Sequence, residues 1–334
     1  MDEFERRWVN LASARLGARA VACSDDFFAP MHRMLKDEPP VFIEGKYDDH
    51  GKWMDGWESR RKREFGHDWC VVKLARPGVV QGFGISTEHF TGNYPPAASI
   101  GGCYSESDDP EDMQWKELLA MTALEGNSRY FSRANGSAVY THVRLNIFPD
   151  GGIARFRVYA KPSIDWSQYG QGELVDIAAS SNGGVALACN DEHFGSIRNL
   201  LMPGRGVNMG DGWETRRRRE PGNDWVLISL ARAGEIREVI IDTAHFKGNY
   251  PESCSIQGAS FPNVAVDTLE TGSRDWPELL PRTQLDADAE HRFSEEIVDL
   301  GPITHVRLNI YPDGGVSRLR LLADVSGSQE PWRR

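Results

Sequence analysis

The chain reads as an all-β protein built from two tandem antiparallel β-sandwich, or jelly-roll, repeats with minor helices, and three observations lead there. Three long stretches recur in the same order at a separation near half of the 334 residues, the mark of a duplicated unit. Within each copy the apolar residues alternate with period two, as a strand with one buried face requires. Gly and Pro break the sequence into many short runs, which fits sheets packed face to face.

Composition allows this architecture and narrows the function. Two units of ~150 residues are each large enough to bury a core. Hydrophobic content of 40% and charged content of 26% are those of an ordinary folded protein. A net charge of −11 repels nucleic acid and anionic lipid, so neither is expected as a partner. Residues 1–22 open with Asp2, Glu3 and Glu5 and hold no apolar run that could serve as a secretory core. No stretch is long enough to span a membrane as a helix. The five cysteines are scattered without a CxxC pair, which suits reduced thiols and a cytoplasmic location.

Taken in order, residues 3–14 are the first candidate helix, and the first repeat spans residues 15–165. Near its start CSDDFFAP from Cys23 matches CNDEHFGS from Cys189 in the second copy. Both thiols read as small buried side chains rather than nucleophiles. The first recurring block, DGWESRRKREFGHDW over 55–69, matches DGWETRRRREPGNDW over 211–225 at eleven of fifteen positions. In an extended chain Glu58, Arg60 and Lys62 share one face and Trp57, Arg61 and Arg63 the other, so neither face suits an interior strand. The block is either a charged edge strand that resists aggregation, or a loop whose Arg forks hold a carboxylate while Glu58 or Asp68 orients them. Its recurrence favours the loop.

The second block, HFTGNYPPAASI over 89–100, matches HFKGNYPESCSI over 245–256 at eight of twelve positions. It follows a strand at 82–86 and ends in turn chemistry. Here His89 is a natural proton-transfer group, while Asn93 and Tyr94 can bond a polar ligand. The competing reading is an ordinary turn in which His89 satisfies loop carbonyls. Residues 112–124 form the second candidate helix, with Met113, Trp115, Leu118, Leu119 and Ala120 gathered on one side. They lie in the loop-rich insert 101–138, whose counterpart 257–301 absorbs a shift in repeat spacing from 156 to 163 residues.

The third block, THVRLNIFPDGGIARFRV from Thr141, agrees with THVRLNIYPDGGVSRLRL from Thr304 at thirteen of eighteen positions. Val306, Leu308 and Ile310 point one way and His305, Arg307 and Asn309 the other, giving one buried face. A four-residue turn at 149–152 would set Arg144 opposite Arg157, and Arg307 opposite Arg320. Each pair would then need an anion or a carboxylate between its members. His142 and Asn146 share that face. A bulge would shift this register, and an exposed face with solvated arginines is the alternative. Residues 166–181 read as a linker, and the second repeat spans 182–325.

No GxSxG elbow, P-loop, HExxH or Rossmann glycine triplet is present. No cofactor is expected; a weak divalent metal dependence built from loop His and carboxylates stays open, without local ligand spacing to support it. His67 is replaced by Asn223 in the second copy, so it is not expected to be essential.

At these three blocks, and at Asp25 and Asp191 near each copy's start, the chain resembles the allantoicase family. The match covers nearly the whole sequence. The resemblance implies jelly rolls akin to galactose-binding domains and hydrolysis of allantoate to ureidoglycolate and urea in purine and allantoin degradation. The scissile bond joins a tetrahedral carbon to a ureido nitrogen, so urea must be protonated as it leaves while water attacks the carbon or an imine. Carboxylate binding falls to Arg60 or Arg61 with Arg144, proton transfer to His89 or His142 with Glu58, and ureido contacts to Asn93, Tyr94 and Asn146. In the second copy the same roles fall to Arg216, Arg217, Arg307, His245, His305, Glu214, Asn249, Tyr250 and Asn309. The rival readings are a noncatalytic jelly-roll module for a sugar or other small polar ligand, and a purely structural duplicate. Sugar faces usually display aromatic platforms, whereas these blocks are rich in Arg, His and carboxylates, which favours the enzyme. Two sites, or one composite site at a domain or subunit interface of a homo-oligomer, are both open, with the composite preferred.

Overall fold

One long strand organises each repeat. Asp68–Ser86 runs for 19 residues, too long to stay in one flat layer when strands twist, and its two halves pair with different groups of strands in one continuous eight-stranded sheet. The first half pairs with Arg19–Cys23 and Val139–Phe148, the second with Arg129–Arg133 and Arg155–Pro162. Ala97–Cys103 and Lys116–Ala123 extend the first group beyond Val139–Phe148, and Val9–Asn10 edges the second group. The computed structural model describes residues 3–261 and 264–326. The chain divides into two compact units, Asp2–Ser163 and Ile164–Arg334.

The second unit repeats the plan around Asp224–Asp242, again 19 residues. Val185–Cys189 and Ile303–Tyr311 join its first half, with Ser253–Ala259 and Glu278–Gln284 beyond. Glu290–Phe293 and Arg318–Asp324 join its second half. The stretch 166–181 belongs to this unit, because Leu174–Asp176 pairs with Arg318–Asp324. Alternation fills the core as period two requires. Val143, Leu145 and Ile147 point inward with Val72 and Ile100, each at most 1% exposed.

Four sequence expectations need correction. Residues 3–14 and 112–124 are not helices: Val9–Asn10 and Lys116–Ala123 are strands, and the one α-helix among the described residues is Val266–Gly272. A short apolar run fits either period, and at 116–123 the unpaired edge of Ala97–Cys103 decides for a strand. Arg144 does not face Arg157, nor Arg307 Arg320. The long strand lies between them, so Arg144 sits opposite Val71 and Gly101, and Arg157 opposite Gly84. After the turn, Gly152–Ile153 pairs instead with Trp57–Glu58. The polar face of Ile303–Tyr311 is also covered: His305, Arg307 and Asn309 are all buried.

The three recurring blocks interlock at one end of each sandwich. Trp57 is fully buried and donates its Nε1–H to the Asp25 carbonyl at 2.9 Å, as Trp213 does to Asp191 at 2.8 Å. Gly151 and Gly314 hold positive φ of 139° and 134° in the turn. A Cβ on Gly152 would stand 2.0 Å from Phe90, and one on Gly315 2.0 Å from Phe246. Behind the turn, Arg155 and Asp55 form a buried ion pair at 2.6 Å, matched by Arg318 and Asp211 at 2.7 Å. Gly152→Ala or Gly315→Ala should therefore lower stability by about 1–3 kcal/mol through overpacking. Chemical denaturation reads this, and Phe90→Leu should recover part of the loss in Gly152→Ala. An unchanged midpoint would show that the ring moves aside freely.

Candidate active site

Glu58 is the carboxylate that this end of the fold isolates. It lies on the two-residue strand Trp57–Glu58, bridged on one side to Ala29 and paired on the other with Gly152, so its side chain is buried at 9% exposure. No salt bridge to it occurs among the described residues. Its Oε1 accepts a hydrogen bond from Asn93 Nδ2 at 2.7 Å. Burial raises its pKa above the ordinary value, while the Asn93 bond and the charge of Lys52 pull the other way. Asn93 is itself fixed, since its backbone carbonyl accepts from Gly152 N at 2.7 Å. Asn249 holds Glu214 in the same manner and accepts from Gly315 N at 2.8 Å.

The loop that carries Asn93 also carries His89, whose φ is 69°; His245 has φ 72°. Both are non-glycine residues in the left-handed region, a costly conformation that clusters at functional sites. Asn127 Oδ1 caps the His89 amide at 3.0 Å, and Asp288 Oδ1 the His245 amide at 2.7 Å. His89 Nε2 lies 3.1 Å from the Pro40 carbonyl and His245 Nε2 2.7 Å from the Gly206 carbonyl. Only a protonated nitrogen can bond a carbonyl, which leaves Nδ1 of the neutral ring free to accept. Asn127 and Asp288 escaped sequence reading because they differ in type and lie in the variable inserts.

The arginines of the first block separate. Arg60 is engaged by Asp25, with Nε at 2.7 Å and the backbone amide at 2.8 Å, and Arg216 by Asp191 likewise at 2.8 and 3.1 Å. Arg61 and Arg217, exposed beside them, have no partner among the described residues. Lys62 and Arg218 are committed to Asp68 and Asp224 at 2.7 and 2.6 Å. Tyr94 packs with Met54, Phe90 and Ala154; Tyr250 occupies the matching loop position.

The third block's polar residues form a different group, on the sheet face away from the core. Arg144 lies 5.0 Å from the Trp115 ring with its Nε unbonded, and Arg307 lies 4.3 Å from the Trp225 ring. Arg307 donates to Asn309 at 2.9 Å and Ser273 at 2.8 Å, and burial lowers its pKa to about 10. Asn146 bonds Ser99 at 3.1 Å and meets His67 Nε2 at 3.3 Å; Asn223 meets Asn309 at 3.1 Å, so the His67 exchange keeps the contact. His142 Nε2 lies 3.2 Å from Asp108, and the His305 Nδ1 2.8 Å from Thr304 Oγ1. Among the described residues no hydrogen bond or ion pair joins this layer to Glu58. Cys23 is pushed up to about 11 and Cys189 to about 12, first by burial and then by neighbouring acids, so neither thiol is an activated nucleophile. Among the described residues no group of three His, Cys, Asp or Glu could hold a metal, and no helix is long and apolar enough to cross a membrane.

Residues 9–163 and 175–326 match a family model described as the allantoicase repeat. A probable allantoicase of Burkholderia mallei is 59% identical over 320 residues, covering 96% of this chain and 95% of that one. A probable allantoicase of Ralstonia nicotianae is 56% identical over 96% of this chain and 95% of that one. The crystal structure of allantoicase from Saccharomyces cerevisiae superposes with a TM-score of 0.79 at 34% identity, covering 94% of this chain and 92% of that chain.

The buried imidazoles give the fold a pH signature. Burial lowers the His305 pKa to about 4, so the folded state keeps this ring neutral where the unfolded chain protonates it. The stabilising difference is present above the unfolded pKa near ~6.5 and is lost as pH falls toward the folded value, roughly 3 kcal/mol across the window. His142 is lowered less simply, because Asp108 opposes burial. His305→Gln should flatten the fall in unfolding free energy between about pH 6.5 and pH 4. An unchanged slope would show that His305 does not carry it.

Proposed function

This chain belongs to the allantoicase family, and from that premise we propose how it hydrolyses allantoate to ureidoglycolate and urea. Glu58 is the proton-transfer group. The observation that carries this reading is a buried carboxylate with an amide, rather than a cation, as its partner. A raised pKa keeps a fraction of it protonated nearer neutrality, where it can act as an acid and then as a base.

The protonated Glu58 gives its proton to the departing ureido nitrogen. The carbon–nitrogen bond breaks as the other ureido nitrogen, keeping its N–H proton, shares its lone pair to form an iminium. Water adds to that carbon and its proton returns to the Glu58 carboxylate, so one group closes the cycle. The free Nδ1 of His89 orients and activates the water. Arg61, exposed and unengaged among the described residues three positions after Glu58, holds the substrate carboxylate by a bidentate fork, whereas Arg60 is occupied by Asp25 and positions the segment. Arg144, Asn146 and His142, with Arg307, Asn309 and His305, build the covered polar layer under the third block.

Several copies of the chain assemble in the cytosol in this reading. Phe27, Phe42 and Tyr47 in the first repeat and Phe194, Val207 and Met209 in the second are exposed apolar side chains that support association. Five free cysteines support a reducing compartment.

Urea release from allantoate tests the assignment. Glu58→Gln should lower kcat about 100-fold or more, the usual scale for losing a general acid or base. Arg61→Ala should raise KM about 10-fold or more with a smaller change in kcat, as expected when a charge-assisted bond made in both ground and transition state is removed. Normal turnover by Glu58→Gln would contradict the reading.

A further inference from the structure

Besides the inserts 101–138 and 257–301, the two repeats differ in length ahead of the first recurring block. Residues 36–56 number 21 where the matching stretch 202–212 numbers 11, both lying between a five-residue 3-10 turn and the buried tryptophan. The longer segment contains a small hairpin, Tyr47–Asp48 against Gly51–Lys52. It is anchored by Val41 N to Asp55 Oδ2 at 3.2 Å, by Trp53 N to the Lys46 carbonyl at 3.1 Å, and by Lys46 3.8 Å from the Trp53 ring.

This segment touches both flanks of the Glu58 site. On one side Phe42 stacks on His89 at 6.0 Å, and Lys52 Nζ sits 4.5 Å from the Phe42 ring. On the other His50 stacks on Phe27 at 4.4 Å, and Arg60 lies 5.1 Å from that same Phe27 ring. The second repeat has no such roof. Asn249 Nδ2 there lies 4.0 Å from Met209 Sδ, and no ring stacks on His245 among the described residues. A thioether thus stands beside the second amide, whereas in the first repeat the Lys52 ammonium lies on the Phe42 ring and acts on the charge of Glu58.

We infer that the segment 36–56 makes the first repeat the hydrolytic one, and that Lys52 is a second anchor for the carboxylate of the anionic substrate. The proposal rests on reading Glu58 as the proton-transfer group. Lys52 supplies an exposed ammonium on the Phe42 ring that stacks on His89, next to a carboxylate that is neutral when it acts as an acid, so the attraction is for substrate and not only for Glu58. In the second repeat the carboxylate–amide pair is kept because it joins the blocks, while Met209 offers no charge to hold an anion.

Four variants of the full chain, assayed for urea release from allantoate, test this. Lys52→Met should raise KM about 10-fold with kcat within about threefold, and Lys52→Arg should restore most of the affinity. Glu214→Gln should cost less than about threefold where Glu58→Gln costs about 100-fold. Roughly half activity from each glutamate variant would mean two equal sites, and a loss of about 100-fold from both would mean interdependent ones; either overturns the inference while leaving Glu58 in its role. An unchanged KM in Lys52→Met overturns the anchor. Normal turnover by Glu58→Gln is the separate result that removes the reading beneath it.

Discussion

Asn93 is bonded at both ends, and the rest of the candidate site in the first repeat depends on that. Its side-chain amide donates to Glu58 at 2.7 Å, and its backbone carbonyl takes the Gly152 amide at 2.7 Å. Glu58 is paired through the backbone with Gly152, so the carboxylate, the amide and the turn close a small ring of contacts drawn from all three recurring blocks. No block can drift alone without breaking a bond in another. That is a physical reason for Asp-Gly-Trp-Glu, Gly-Asn-Tyr-Pro and Pro-Asp-Gly-Gly to persist in both copies. Gly is required at 152 by the Phe90 ring, and Asn at 93 by the carboxylate it must face.

Burial of a carboxylate without a cation is costly, and the fold surrounds the exception with satisfied charge. Asp55 meets Arg155 and Lys36, Asp68 meets Lys62, and Asp25 meets Arg60. These pairs hold the strands and loops that wall in Glu58, so most of the first block's charge is structural. The second repeat keeps the pairs in Asp211–Arg318, Asp224–Arg218 and Asp191–Arg216. The two copies thus share this frame and differ in the segment 36–56 above it.

The duplication and the strand periodicity were legible, and Glu58, His89 and Asn93 could be singled out as candidates, because each rests on local pattern: repeated words, alternation, and a charged residue beside an obligate core tryptophan. The partner of each arginine was not. Arg144 and Arg157 flank a hairpin turn in sequence, yet the 19-residue strand Asp68–Ser86 comes between them, a long-range choice that no local window records. Trp115 and Leu118 suggested a helix because apolar spacing over so short a run fits both periods. Asn127, which caps His89 from 38 residues away, lies in a variable insert and has an aspartate as its counterpart. Lys52 falls in a segment the second copy lacks, so comparing repeats could not single it out.

The central claim is that Glu58 is a carboxylate whose protonated form is favoured by burial and restrained by Asn93. Its titration can be followed directly by carbon-13 NMR of labelled glutamate carboxyls, with the resonance assigned as the one absent in Glu58→Gln. The account predicts that this carboxyl titrates above the ordinary glutamate value of about 4.3 and moves further up in Asn93→Ala, where the bond that favours the charged form is gone. A Glu58 that titrates at or below the ordinary value, or that is indifferent to Asn93, would contradict it.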